Sequence, residues 1–275
     1  MTEALSIGPL TLTWWSVIML GSLLASAACA WILAYRQRLD TGLIYPLTLW
    51  APIGGLVGAR LLYVLNPPPS VAAYYSTRWF LSHLFDLQAG PLAVWNGGLD
   101  PAGSLLGGTL ALLVVLYHAR APLAAWLDVL AIALLVGYIL APWANVVERQ
   151  LLGPPTSLPW GLPVDHTAIP FPPGTRLHPT PAYISLWSLL ALGLVLLAER
   201  QGWLAHPGDR ALLSSSLLAA GLFGVGFLRL DVNVLLLFTP LQIVALGALI
   251  AAGVTLARRL QHGSNTPLKR IIRWR

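Results

Sequence analysis

Seven runs of about 20 mostly apolar residues dominate this chain, and each is long enough to cross the hydrocarbon core of a bilayer as a helix. They cover residues 12–35, 43–65, 99–117, 123–147, 183–198, 212–228 and 235–256. Composition agrees: hydrophobic residues make up 57% of the 275 and charged residues only 9%, too few charges to cover a water-soluble surface. The chain is therefore solvated mostly by lipid, and the fold expected is an all-α polytopic membrane protein with about seven transmembrane helices. The first run is too long for a signal-peptide core, and no positive residue precedes it. With Cys29 the single cysteine, neither an intramolecular disulfide nor a cysteine metal cluster can form.

The formal charge of +6 points to nucleic acid only if it gathers on a soluble face, and it does not. The densest basic run, Lys269-Arg270-Ile271-Ile272-Arg273-Trp274-Arg275, follows directly on an apolar segment, so residues 259–275 read as a tail that meets anionic lipid. Arg36, Arg38, Arg120, Arg200, Arg210, Arg258, Arg259 and the four basic residues after them fall on one side of the spans. Arg60, Arg78, Arg149, Arg176 and Arg229 lie within helices or on the other side. By the positive-inside rule the amino terminus then faces outward and the carboxy terminus the cytoplasm, in the inner (plasma) membrane. Two outward segments are too long for turns. Residues 66–96 read as an interfacial arm, and the proline-rich stretch 151–181 as an irregular periplasmic head. Residues 1–275 form one membrane-embedded domain, with no repeat of 20–50 residues.

Ionisable residues within spans cost about 2.5–3.5 kcal/mol each on insertion scales, so each is a candidate for function. Arg60, Asp128, Glu148 with Arg149, and Arg229 with Asp231 stand out. Asp128 fits a helix-capping role as well as a functional one. Arg60 and Arg229 lie near outward helix ends, where two guanidinium forks facing one cavity would suit a phospholipid headgroup. Gly97, Gly98 and Gly103 lie where interfacial loop becomes helix, and suit a close backbone approach or an anion at free amides.

These residues stand in recognisable company. Ile7-Gly8-Pro9 with Trp14-Trp15, Gly58-Ala59-Arg60-Leu61-Leu62-Tyr63, Trp95–Ser104, the stretch from Asp128 through Asn145 to Gly153, Pro159-Trp160-Gly161, His178-Pro179-Thr180-Pro181-Ala182-Tyr183, and Gly226-Phe227-Leu228-Arg229 with Gln242 follow one another in a familiar order. Together they resemble the prolipoprotein diacylglyceryl transferases of bacteria over nearly the whole chain. The resemblance implies transfer of diacylglyceryl from phosphatidylglycerol to the thiol of a lipobox cysteine, with glycerol phosphate leaving. It implies no metal or organic cofactor. The partners expected are phosphatidylglycerol, prolipoprotein signal peptides and membrane lipid, with no nucleic acid and a monomeric protein. Arg60 and Arg229 would hold phosphate, with Asn145 and Tyr63 as hydrogen-bond partners and Gly97, Gly98, Gly103, Gly153 and Tyr183 completing the site. Where the family has tyrosine, this chain has Trp15, and Pro142 and Gln150 replace the signature's arginine and glutamate. Ala102 stands at the family's histidine, so restoring that histidine is expected to supply a base. The remaining candidate bases are His178 and Glu148. A relative without turnover that binds phospholipid or lipopeptide is the alternative, and a solute transporter fits less well, since paired broken helices are lacking.

Overall fold

In the computed structural model, the described residues are 3–7, 10–72, 74–94, 97–163, 171–230 and 238–264. The chain opens with an antiparallel hairpin of β1 (Glu3–Ile7) and β2 (Leu10–Thr13). The apolar reading of the amino terminus gives no hint of it. The Thr13 hydroxyl then accepts the Ser16 amide at 3.2 Å, capping α1 (Trp14–Arg36). Next come α2 (Ile44–Leu65), the short arm helices α3 (Pro69–Ala72) and α4 (Thr77–Ser82), α5 (Pro101–His118), α6 (Leu123–Leu140) and α7 (Pro142–Val147). A small head carries the antiparallel pair β3 (Leu162–Pro163) and β4 (Arg176–Leu177). The chain continues through α8 (Thr180–Arg200), α9 (Asp209–Gly226) and α10 (Pro240–Ser264).

Among the described residues six helices are long and apolar enough to cross a membrane, one fewer than the sequence count. The difference is α9, whose opening Asp209-Arg210 and Ser214-Ser215-Ser216 dilute its apolar character. Much of its polar content lies inside the protein: Asp209 and Ser214 are almost wholly buried. The protein is thus an all-α polytopic membrane protein. The 123–147 run is one crossing in two pieces. Pro142 has no N–H to continue the helical ladder, and α7 restarts from it.

Two cores organise the helices. Ala30, Ala34, Leu47, Leu116, Trp126, Val129 and Ala133 pack α1, α2, α5 and α6 together. Leu135, Ala191, Val195, Leu218, Ala219, Leu222 and Ala245 join α6, α8, α9 and α10. The large apolar residues left outside, such as Leu20, Leu24, Trp31, Val57, Leu61 and Leu110, are the surface expected to face lipid. The seam between α2 and α5 is of a third kind. Gly54 and Gly58 face Gly103 and Gly107, and a Cβ built on Gly58 or Gly103 would collide with the other's carbonyl oxygen. Paired small residues four apart let two helix backbones touch, as lipid-embedded helices do where apolar side chains give no preference for protein over lipid.

Candidate functional site

The sequence-predicted residues gather in two places. The first lies where the arm returns to α5. Arg60, in the last turns of α2, is 8% exposed. Its Nε donates to the Pro91 carbonyl at 2.8 Å, one terminal nitrogen to Gly97 and Gly98 at 2.7 and 3.1 Å, and the other to Gly90 at 2.8 Å. Four of the five guanidinium donors thus meet arm carbonyls. Its central carbon lies 5.3 Å from the Tyr63 ring centroid and 6.0 Å from that of Phe80. Gly98 must be glycine on two counts: its φ is +71°, and a Cβ would lie 2.6 Å from the Tyr63 ring and 2.7 Å from an Arg60 nitrogen. Gly97, with φ +79°, makes the same left-handed turn. Asp100 then starts α5, its carboxylate accepting the amides of Ala102 at 2.7 Å and Gly103 at 3.2 Å. Arg60, Tyr63, Gly97, Gly98 and Gly103 therefore form one unit, in which Arg60 anchors the arm.

Ala102 is 0% exposed, between the Asp100 cap of α5 and Gly103, which faces α2, so a histidine at this position would enter packed protein.

The second group lies where α7, the head and the carboxy end of α9 meet. Leaving α7, the chain passes through Arg149 and Leu151 at φ +51° and +55°, left-handed conformations that cost side-chain-bearing residues about 1–2 kcal/mol each. The buried Thr180 hydroxyl holds the second of them by donating to the Leu151 carbonyl. Gly153 donates its amide to the His178 carbonyl at 2.8 Å, and the His178 amide donates to the Pro154 carbonyl at 3.1 Å. A Cβ on Gly153 would run into the Leu228 carbonyl, the Thr180 methyl and the His178 Cβ. A side chain here would push the Leu228–Arg229 segment away from the head. Glu148, at the carboxy cap of α7, is 8% exposed. Asn145, one turn back, accepts the Trp15 indole N–H on Oδ1 at 3.4 Å. Tyr183, in the first turn of α8, accepts the Trp160 indole N–H at 2.9 Å, and its hydroxyl lies 2.9 Å from His178 Nδ1. Arg229 follows α9 directly, its amide on the Gly226 carbonyl at 3.3 Å. Gln242 of α10 braces that end, donating to the Phe223 carbonyl at 3.2 Å.

Asn145, Glu148, Gly153, His178, Tyr183 and Arg229 thus come from three separated stretches of chain, 145–153, 178–183 and the residues after α9. Trp160 and Thr180 belong with them on geometry, although neither stood among the sequence candidates. Asp128 is elsewhere: its carboxylate accepts the amides of Gly208 at 2.7 Å and Ala211 at 2.8 Å, capping α9 from a neighbouring helix. The sequence reading of a cap at the start of its own helix is thus corrected: Asp128 caps α9, not α6. Asp231, Trp95, Asn96 and the basic residues 269–275 lie outside the described residues.

Compared with protein families, residues 2–258 match the model for prolipoprotein diacylglyceryl transferase. The chain belongs to that family. A phosphatidylglycerol–prolipoprotein diacylglyceryl transferase of Synechococcus elongatus is 31% identical over 198 residues, 71% of this chain and 64% of that protein. The enzyme of Acaryochloris marina is 27% identical over 254 residues, 92% of this chain and 87% of its own. The second such protein of Streptomyces coelicolor is 34% identical over 194 residues, 69% of this chain and 57% of that protein. The chain thus spans less than two thirds of the length of several curated relatives it matches, and most of that of others. Membership accounts for the order of the motifs. The family match does not assign a role to Trp15, Ala102, Pro142 or Gln150, whose surroundings have to be read from the fold.

Proposed function

We propose that this protein transfers the diacylglyceryl group of phosphatidylglycerol to the cysteine thiol of a prolipoprotein signal peptide. The observation that carries the reading is the junction at which Gly153, His178 and the Leu228–Arg229 segment meet, a few residues along the chain from Asn145 and Glu148, in a chain whose relatives bear that enzyme's name. Arg229 supplies the bidentate fork for the phosphodiester, and the Asn145 amide, oriented by Trp15, supplies a further donor. Arg60 contributes by fixing the arm and, through it, the start of α5. The buried Glu148 carboxylate takes the thiol proton. Sulfur then bonds to the terminal glyceryl carbon, the carbon–oxygen bond breaks, and its electron pair leaves on the phosphate of glycerol phosphate. Donors placed where that negative charge grows lower the barrier. Arg36, Arg200, Arg210, Arg258 and Arg259 at one set of helix ends support a cytoplasmic carboxy terminus and a periplasmic head, and the protein acts as a single domain and a monomer.

The test is transfer to a lipobox peptide by the purified protein, beside complementation of a strain depleted of its own transferase. Arg229→Lys keeps the charge and loses the fork, so activity should fall partly; Arg229→Ala should abolish it. Phosphatidylglycerol binding without transfer or complementation would leave a lipid-binding relative instead.

A further inference from the structure

We infer that Trp160, Tyr183 and His178 form a one-way chain of hydrogen-bond donors that ends in an imidazole Nε2–H offered to a phosphate oxygen. His178 is then an anion ligand and not the base. The identity of the anion rests on the transferase reading; the direction of the chain does not.

Direction is set at the far end. The indole of Trp160 carries an N–H and no acceptor, so at 2.9 Å it can only donate to the Tyr183 oxygen. An oxygen that accepts one hydrogen bond becomes a stronger donor through its own hydrogen, because successive bonds polarise one another. That favours the Tyr183 O–H donating to His178 Nδ1, the nitrogen 2.9 Å away, over the reverse direction. A neutral ring with Nδ1 accepting carries its proton on Nε2, and among the described residues Nε2 makes no hydrogen bond. A base must offer a lone pair to the proton it removes, and Nε2 in this tautomer has none. What it offers is a polarised N–H.

Place supports the same ligand. His178 Cβ and the Leu228 carbonyl flank Gly153 so closely that no side chain fits between, which puts the root of the His178 side chain beside the segment that leads into Arg229. A cationic fork and a neutral N–H at one junction suit an oxygen that gains charge as a phosphate ester leaves. The chain also crosses from the head loop to the first turn of α8, so the head is a working part of the site.

Full-length protein with ¹⁵N-labelled histidine in detergent micelles gives a direct readout through long-range ¹H–¹⁵N correlations, with His178 assigned by its loss in His178→Gln. The expected pattern is a protonated Nε2 and a bare Nδ1, shifting toward a mixture of tautomers in Trp160→Phe. A protonated Nδ1 in the parent protein overturns the proposal whether or not transfer is seen. The variants supply a second arm. His178→Ala should weaken phosphatidylglycerol binding in mixed micelles by roughly 10- to 100-fold, the range for a hydrogen bond to a charged group. Glutamine places an N–H near Nε2 and cannot act as a base, so His178→Gln should recover most of that loss in both binding and transfer. Equal failure of Gln and Ala sinks the donor reading. If inorganic phosphate at equal concentration perturbs the Nε2 signal and the lipid does not, the donor chain stands and the transferase reading falls.

Discussion

Arg60 and Gly97 are joined by a guanidinium-to-carbonyl hydrogen bond of 2.7 Å that ties α2 to the last residues of the arm, 37 positions further along the chain. Arg60→Lys keeps the charge but has three donors on a compact head, and cannot span the carbonyls of residues 90, 91, 97 and 98 together. Lysine should loosen the arm by about 1–2 kcal/mol, and alanine by on the order of 3 kcal/mol. Cleavage of the arm by a soluble protease under native conditions, compared at equal helix content, measures this directly. Unchanged protection in Arg60→Ala would show that the arm is held some other way.

The seam between α2 and α5 gives a second expectation. Gly58 and Gly103 each face the other's backbone, so Gly58→Ala or Gly103→Ala must force the helices apart. The cost should be about 1–3 kcal/mol, as for overpacking elsewhere. Gly21, with open space about it, serves as the control, and Gly21→Ala should be nearly silent. Unfolding in mixed micelles separates the two cases.

Arg60 shows where sequence reading stops. A buried arginine near an outward helix end reads the same whether its acceptor is a phosphate or a set of carbonyls, and carbonyl oxygens leave no mark in sequence. The crossings are legible because an apolar run of that length has few other uses. The break at Pro142 is not legible: the run 123–147 reads as one span, and Pro52 lies inside α2 without ending it. The partners of Asp128 are not legible: they are backbone amides 80 and 83 residues away, brought near only by the packing of α6 against α9. Trp160, Tyr183 and His178 can be read as motif residues, but their alignment into one chain depends on the head folding over α8.

Asp128→Ala should destabilise the protein by about 1–3 kcal/mol, because the Gly208 and Ala211 amides lose an acceptor where water is scarce. Asp128→Asn keeps one accepting oxygen and should cost less. Thermal unfolding in detergent gives the order alanine, asparagine, parent, and transfer per folded molecule should stay unchanged in both variants. A fall in turnover with stability intact would return Asp128 to the functional candidates.

Orientation is open to a chemical test at the end of α10. A cysteine at Ser264, in a protein with Cys29 replaced by alanine, should react with a membrane-impermeant maleimide only after permeabilisation. Labelling in intact cells would reverse the assignment of head and tail.

Restoring a histidine at position 102 separates the fold from the family pattern. On sequence grounds Ala102→His should add a base and raise activity. In the fold Ala102 has no exposed surface, and its amide is part of the α5 cap on Asp100. The adjacent Gly103 faces the Gly58 carbonyl across the seam, so the neighbouring backbone cannot retreat. An imidazole here must displace α2 or unwind the first turn of α5, at a cost of about 1–3 kcal/mol or more. Its nitrogens would also be buried beside backbone already paired. The expected outcome is lower yield and stability with no gain in transfer to a lipobox peptide. The pair Ala102→His and Ala102→Ser, both measured per folded molecule, distinguishes crowding from chemistry, since serine adds a single oxygen and should nearly keep the parent stability. A rise in turnover for histidine alone would mean that α5 opens at its amino end, and would give that helix start a part in proton transfer that Glu148 otherwise carries.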